Sequence, residues 1–148
     1  MDEQDIQVLI DGTVHYFHRS LDKTAAVGTP YLIEDKQRIS SDYTGVIGIS
    51  GVRKGSVYFT APSAMLRHIL MTHGESQIDS DFMADVVGEV ANTISGNARR
   101  VFGQEFTISV PTVFAGTPDF SRFRFSDRSF VIPIHWRQYH AALVVSID

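Results

Sequence analysis

The amino-acid sequence predicts an α+β fold in which long helices pack on a largely antiparallel β-sheet. Two long segments, 5–21 and 80–102, carry apolar residues at the three- and four-residue spacing of amphipathic helices. Elsewhere, pairs of β-branched runs flank short turns, which is the pattern of β-hairpins. Because the 148 residues contain no linker or low-complexity tract, we expect a single domain spanning 1–148.

The first predicted element is an amphipathic helix from Asp5 to Leu21. Its apolar residues recur at helical spacing and form one stripe: Ile6, Leu9, Ile10, Val14, Phe17 and Leu21. Gly28 and Pro30 then interrupt the helical pattern, and the run YLIE that follows them is compatible with a short strand.

The middle of the chain predicts a hairpin followed by a second helix. The runs YTGVIGISG and SVYFTA are rich in β-branched residues, and the turn-like letters VRKG separate them. Pro62 opens the stretch PSAMLRHILMTHGE and suits the first turn of a helix, whereas Gly74 suits its end.

The longest predicted helix begins after Asp79 or Ser80, either of which suits an N-cap, and ends at about Phe102, before Gly103. At about 100° per residue, one side of this helix collects the apolar residues that must face the core. This core stripe consists of Met83, Val87, Val90, Ala91, Ile94, Ala98 and Val101.

The C-terminal third predicts strands. The run EFTISVPTVFAG is a strand that Pro111 ends or distorts, because proline donates no hydrogen bond to a β-ladder. In FSRFRF the phenylalanines alternate with polar residues as they would in a strand, so we expect them in the core or at an interface. Finally, SFVIPIHW and YHAALVVSI flank the turn RQ and predict a closing hairpin.

The solvent face of the longest helix combines polar residues with a glycine. Asp85, Glu89, Asn92, Gly96 and Arg100 gather there, so Glu89 and Asn92 point to solvent one turn apart. Asn and Gly are poor helix formers, Gly by about 1 kcal/mol relative to Ala, so a purely solvated face would favour other residues. The bare backbone at Gly96 suits close approach by a partner, and an ordinary solvated face is the alternative interpretation.

Composition and charge exclude several classes of protein. The chain has no cysteine, which rules out disulfides and thiolate metal sites. A net charge of -4 without a Lys/Arg stripe argues against nucleic acid or an anionic membrane as the main partner. The acidic start MDEQDIQVLIDG is unlike a signal peptide and no apolar run is long enough to cross a bilayer, so we expect a soluble, cytoplasmic protein.

Other kinds of site find little support in the sequence. The six histidines have no acidic partners at a recognised metal-ligand spacing and are expected at the surface or at its boundary. The glycines of GISG and VRKG belong to neither a Walker motif nor GxGxxG. No serine stands in a G-x-S-x-G elbow, so a serine hydrolase is not predicted either.

The sequence around Glu89 and Asn92 resembles the signature of the CheC/CheX/FliY family of chemotaxis phosphatases, which act on the phosphorylated response regulator CheY. GEVANTISGNA leads to ISVPTVFAG and is preceded by VIGISGVRKGSVYFTAP, an order similar to that of CheX, and the resemblance covers 43–148. Fewer residues than usual in the family separate Asn92 from Pro111, so we expect Pro111 only to end or kink its strand. The first helix lacks a second Glu/Asn pair, which implies one site per chain, as in CheX and unlike CheC.

The resemblance implies a phosphatase that hydrolyses the aspartyl phosphate of a CheY-type receiver domain. Asn92 would hold the attacking water, and Glu89 would anchor the helix to the receiver's lysine; a general base is the alternative role for Glu89. Asp85 and Gly96 would contact the partner, although Asp85 would more readily stabilise the helix N-terminus through the helix dipole.

The same resemblance implies partners and cofactors. We expect no cofactor of the chain's own, since the receiver supplies the Mg²⁺, and we expect a homodimer, no nucleic acid and no membrane.

Two alternatives are a receiver-binding module without catalysis and a structural dimerisation domain. Asn92 distinguishes the first, because binding alone has no special need for an amide there. Exposed apolar strand residues near the C-terminus would mark the second.

Overall fold

The structure consists of an antiparallel sheet with helices on one face. It is a computed structural model that describes residues 1–34, 38–104 and 106–148. Within these ranges the helices are α1 (Glu3–Ser20), α2 (Ser63–Thr72) and α3 (Ser80–Phe102). The strands are β1 (Ala26–Val27), β2 (Tyr31–Glu34), β3 (Tyr43–Gly51), β4 (Gly55–Ala61), β5 (Phe106–Ile108), β6 (Thr112–Ala115), β7 (Arg128–Trp136) and β8 (Tyr139–Ile147). The predicted α+β class is confirmed; Glu105, the first residue of the predicted strand EFTISVPTVFAG, lies outside the described residues.

The C-terminal hairpin occupies the interior of the sheet. In the described residues the sheet has eight strands in the order β1-β7-β8-β4-β3-β5, with β2 also paired to β7 and β6 also paired to β3. Every pairing is antiparallel. Because β8 lies between β7 and β4, the last strand of the chain joins the N-terminal edge of the sheet to the central hairpin.

Both faces of the sheet are covered. The main core lies between the sheet and the three described helices, and it includes Leu9, Leu66 and Ile94 at its centre. On the opposite face a smaller cluster forms around Tyr58, whose ring lies 4.9 Å from that of Phe120. Every residue of β4 is therefore buried, as a strand covered on both faces must be.

The FSRFRF stretch was expected to alternate as a strand does and to lie in the core or at an interface. Its phenylalanines do cover the second face of the sheet, but the backbone is not a strand: Phe120–Arg122 is a short 3₁₀ helix. The three rings reach one hydrophobic cluster because this segment crosses over the sheet instead of pairing with it. The prediction of a core role is confirmed, and the strand spacing was misleading.

Local capping explains where the helices begin. In α1 the Asp2 carboxylate accepts a hydrogen bond from the Asp5 N–H at 2.9 Å, and the Asp5 carboxylate accepts one from the Asp2 N–H. This capping box starts the helix at Glu3, two residues before the predicted start. Asp5 also pairs with Arg53 at 2.8 Å, and although burial raises the pKa of its carboxyl, these hydrogen bonds and the positive charge lower it overall.

The longest helix begins and ends as the sequence predicted. The Asp79 carboxylate caps α3 by accepting a hydrogen bond from the Phe82 N–H at 3.0 Å. Gly103 ends the helix with a φ of 92°, a conformation that glycine adopts without strain. Six of the seven predicted core residues of α3 are buried, the exception being Val101.

Val101 was predicted to face the core, and this prediction is wrong because Val101 is 66% exposed. In the last turn of α3 the neighbouring residue, Phe102, takes the packing position, with its ring 5.0 Å from that of Phe106. The helical spacing of apolar residues continues to the end of α3, but the core does not extend as far as Val101.

Two glycines allow α3 to approach the sheet closely. A Cβ atom on Gly45 of β3 would lie 2.4 Å from the backbone oxygen of Val87, which is far inside van der Waals contact. Gly88, the next residue on α3, is itself buried, and a Cβ there would lie 2.8 Å from a methyl carbon of Val113. The backbones of β3 and α3 therefore nearly touch where the two elements cross.

Gly45→Ala is expected to lower the free energy of unfolding by about 2 kcal/mol, because the added methyl group meets rigid helix backbone. Urea unfolding measures this value. Gly12→Ala on α1 is the matched control, since a Cβ there meets nothing within 4 Å and should raise helix stability by up to about 1 kcal/mol. Equal stabilities of the two variants would contradict the close approach.

Candidate functional site

The solvent face of α3 carries the four residues that the sequence singled out. Asp85, Glu89 and Asn92 are exposed and Gly96 is half-buried, as the helical spacing predicted. Since all four lie on one regular helix, Glu89 and Asn92 are adjacent, one turn apart. The structure thus brings the two predicted chemical groups together on one exposed helix face.

Packing beneath α3 determines which side chains face outward. Gly88 lies against Val113 and Pro111, so it occupies the flank of the helix next to the β5–β6 edge. Asn92 follows Gly88 by one turn and consequently borders this edge on the outer side. Gly88 thus serves close packing of α3 against this edge.

Pro111 interrupts the edge strand, as predicted. It lies between β5 and β6, which pair with β3 on either side of the interruption. Across the break, the Ser109 hydroxyl accepts a hydrogen bond from the Gly48 N–H at 2.8 Å, and the Ser109 N–H donates to the Gly48 carbonyl at 2.9 Å. The segment therefore keeps its contact with the sheet and supports the flank of α3.

A polar groove between α1 and α3 reaches Glu89 from the other side. The groove is lined by His15, Tyr16, Arg19, Ser20, Glu89, Thr93, Asn97 and Arg100. Burial raises the pKa of the Tyr16 phenol, a hydrogen bond with Ser20 lowers it, and the negative charge of Glu89 raises it further, with a net increase. The carboxylate of Glu89 is thus close enough to Tyr16 to act on it electrostatically.

This groove was not foreseen from the sequence. Its two walls are separated by more than 60 residues in the chain, and local periodicity carries no information on which helices become neighbours. The polar residues of α1 on the side opposite its core stripe were the available signal, but they fit an ordinary solvated face equally well.

Asp85 lies too far along α3 for its predicted effect on the helix terminus. The helix begins at Ser80 and is capped by Asp79, with Asp81 supplying negative charge in the first turn. Asp85 stands in the second turn, and helix-dipole interactions decay within the first. Asp85 is exposed one turn before Glu89, and its contact with a partner stays a prediction.

The residues that follow Asn92 alternate between open and buried positions. A Cβ atom on Gly96 would meet nothing within 4 Å, so the surface there is bare backbone with free space above it. Ser95 is completely buried, and within the described ranges its hydroxyl has no hydrogen-bond partner. A buried hydroxyl without an adjacent base is not an available nucleophile.

The histidines serve structural contacts and do not form a metal site in the described part of the chain. No group of three or more His, Cys, Asp or Glu side chains that could hold a metal ion occurs there. His18 and His73 bond to the backbone carbonyls of Ala25 and Ser20, each at 2.8 Å. All six are exposed or half-buried, which confirms the prediction: His15, His18, His68, His73, His135 and His140. Within the same ranges no helix combines the length and apolarity needed to cross a bilayer.

Comparison with known sequences identifies one family. Residues 43–135 match the sequence profile of the family described as "Chemotaxis phosphatase CheX", which is more than half of the chain and includes Glu89 and Asn92. No match is found among curated protein sequences.

Solved structures of chemotaxis proteins share the fold. A chemotactic CheC-like protein from Shewanella oneidensis MR-1 is 23% identical with a TM-score of 0.83, covering 100% of both chains. A chemotaxis protein CheX from Desulfovibrio desulfuricans is 21% identical with a TM-score of 0.81, covering 98% of this chain and 99% of that one. A CheX–CheY–BeF₃–Mg²⁺ complex from Borrelia burgdorferi matches at 17% identity and a TM-score of 0.78, covering 97% of each chain.

Ser95→Ala is expected to leave the free energy of unfolding unchanged or to raise it by up to about 1 kcal/mol, because it removes a buried hydroxyl without a partner. Thr13→Val is the comparison: the Thr13 hydroxyl is buried and donates to the Leu9 carbonyl at 2.7 Å, so its loss should cost about 1 kcal/mol. Chemical denaturation of both variants tests this. Destabilisation by Ser95→Ala as large as that by Thr13→Val would contradict it.

Proposed function

The chain belongs to the chemotaxis phosphatase CheX family, and on this basis we propose that it hydrolyses the aspartyl phosphate of a CheY-type receiver domain. The observation that carries the proposal is the exposed pair Glu89 and Asn92, adjacent on one rigid helix within the matched region. The bare surface at Gly96 leaves room for α3 to enter a partner's pocket.

Asn92 is the proposed water-positioning group. Hydrolysis of an aspartyl phosphate requires a water molecule in line with the bond that breaks, while cations neutralise the phosphoryl oxygens. The Asn92 side-chain oxygen accepts a hydrogen bond from that water and directs its lone pair at phosphorus. Asn92 is a neutral amide and adds no negative charge beside the anionic phosphoryl group. A carboxylate at this position would add one and repel the substrate.

Glu89 is the proposed anchor. Its exposed carboxylate, one turn before Asn92, is placed to form a charge-assisted hydrogen bond with the receiver's active-site lysine. Such a bond fixes the depth and rotation of α3 in the receiver's pocket, and water positioning depends on this geometry. A general base is the alternative role, and the readout of Glu89→Gln distinguishes the two. Loss of a charged anchor weakens receiver binding, whereas loss of a general base lowers kcat at saturating receiver.

The Mg²⁺ ion in this scheme belongs to the receiver. A complex of the Borrelia burgdorferi relative with CheY contains BeF₃ and Mg²⁺, which supports a role for a Mg²⁺-loaded receiver as the substrate of this chain. The chain's own contribution is then the orientation of one water and the docking of one helix. Asp85 and Gly96, on the same face, are the proposed additional contacts to the receiver.

A receiver-binding module without catalysis uses the same face and is the main alternative. A purely structural dimerisation domain is less favoured, because its expected mark is not found in the described residues: the apolar side chains of β8 are buried. Exposed apolar residues stand instead on the edge strand β2, at Tyr31 and Leu32. Apolar side chains exposed on an edge strand support the proposed homodimer.

Asn92→Ala is expected to slow receiver dephosphorylation about 100-fold while leaving receiver binding intact, because only the orientation of water is lost. The decay of a ³²P-labelled CheY-type receiver, with and without the protein, measures the rate. Asn97→Ala is the matched control, since it removes an amide from the same helix five residues beyond Asn92. Glu89→Ala is expected to weaken binding about tenfold.

Two results would contradict these roles. Turnover by Asn92→Ala at the wild-type rate would exclude water positioning by this amide. Unchanged decay of every CheY-type receiver of the organism, in the presence of wild-type protein that binds them, would leave the binding module as the function.

Gly96 offers a second test, in which stability and activity are expected to move in opposite directions. Gly96→Leu should raise helix stability by about 0.5–1 kcal/mol, because leucine is the better helix former and its Cβ meets nothing within 4 Å. The same side chain should block docking and reduce phosphatase activity at least tenfold. Gly96→Ala, which adds one methyl group, serves as the graded control, and a fully active Gly96→Leu variant would exclude this surface from the interface.

A further inference from the structure

Three arginines lie along the groove beside Glu89 and the recess at Gly96. Arg19 of α1 lines the groove that contains Glu89, and Arg100 closes the same groove further along α3. Arg100 also borders a shallow recess with Gly96 and Arg99. These three residues, Arg19, Arg99 and Arg100, are called the arginine rim below.

The arginine rim has charges that the fold leaves uncompensated. All three side chains are exposed, and none of them has an ion pair or a side-chain hydrogen bond to another residue in the described part of the chain. Arg53, by contrast, pairs with Asp5 at 2.8 Å. In a chain of net charge -4, the rim is a local concentration of positive charge beside Glu89 and Gly96.

Helix dipoles account for only part of this arrangement. Arg19 stands in the last turn of α1, and Arg99 and Arg100 in the last turn of α3, where positive charge is favourable. This effect acts on each helix separately. The helix dipoles do not explain why Arg19 and Arg100, which belong to different helices, line one groove together with Glu89.

The position of Arg100 relative to Asn92 limits what the rim can touch. Eight residues along a helix correspond to about 12 Å, and a helical arginine extends back toward the N-terminus of its helix. Its side chain therefore extends back along the groove and ends short of Asn92. From there it reaches the border of a docked pocket but not the phosphoryl group that Asn92 faces.

We infer that the arginine rim binds the acidic border of a phosphorylated receiver's active site, an inference that rests on the proposed function. A receiver that holds Mg²⁺ must present carboxylates around its phosphoryl group, because Mg²⁺ is bound through carboxylate oxygens. These carboxylates repel a chain of net charge -4 unless a local positive surface meets them. The rim supplies this complementarity and adds to the strength and rate of docking, whereas Glu89 anchors α3 in the pocket and Asn92 positions the water.

The test compares binding with turnover in charge-neutral variants. The probe is a CheY-type receiver activated with BeF₃⁻ and Mg²⁺, titrated with wild-type protein and with the double variant Arg19→Gln/Arg100→Gln. We expect Kd to rise about tenfold, through a slower association rate, and to become less sensitive to NaCl between 50 and 300 mM. At saturating phosphorylated receiver, kcat should stay within about twofold of the wild-type value.

Two controls separate docking from folding. Arg67→Gln removes an exposed arginine from α2, outside both recesses that the rim borders, and should leave Kd unchanged. Arg19→Lys/Arg100→Lys keeps the positive charge and should restore most of the binding. A merely structural role of the rim would instead lower the thermal stability of the glutamine variant and reduce its kcat.

The outcomes distinguish this inference from the proposed function. If the wild-type protein binds and dephosphorylates the receiver, and the glutamine double variant does so with the same Kd and salt dependence, the rim has no docking role. If the wild-type protein binds no activated receiver at all, the proposed function itself fails. A loss of binding that is specific to the rim variants and restored by lysine supports both.

Discussion

The close approach of α3 to β3 is the contact on which the rest of the site depends. It requires glycine at position 45, where a Cβ would overlap the Val87 backbone, and at position 88, where a Cβ would press on Val113. Such a contact fixes the rotation of the helix about its axis as well as its distance from the sheet. The rotation of α3 decides which of its residues face solvent. Gly45 and Gly88 therefore determine that Glu89 and Asn92 are exposed.

The proposed site acts by holding one amide in a fixed position relative to the receiver. The proposed chemistry is shared between two proteins: the receiver holds the metal ion and the phosphoryl group, and this chain adds one amide that orients water. No strongly perturbed carboxyl group is needed for that task, but a rigid support is, because misplacement by about 1 Å costs about 100-fold in rate. The capped, well-packed α3 provides such a support, and its outer face is exposed.

Local patterns predicted most elements and the exposed pair correctly. Capping residues, glycine stops and hydrophobic periods act over a few residues, so Asp79, Gly103 and six of the seven core residues of α3 were identified without the fold. Two predictions were wrong. At Val101 the helical spacing of apolar residues continues although the core no longer covers the helix there. In FSRFRF the phenylalanines alternate with polar residues because they pack into one cluster, and the backbone is not a strand. The two-residue strand β1 carries too few residues to show any period.

By itself, the sequence determined that a long amphipathic helix presents Asp85, Glu89, Asn92 and Gly96 on one face, because the helical repeat is a property of consecutive residues. Only the tertiary structure decided what surrounds that face. It placed Tyr16 and Arg19 of α1 beside Glu89, put Pro111 against Gly88, and inserted β8 between β7 and β4. These neighbours come from distant parts of the chain, and they are selected by how whole faces pack together, which no short stretch of sequence encodes.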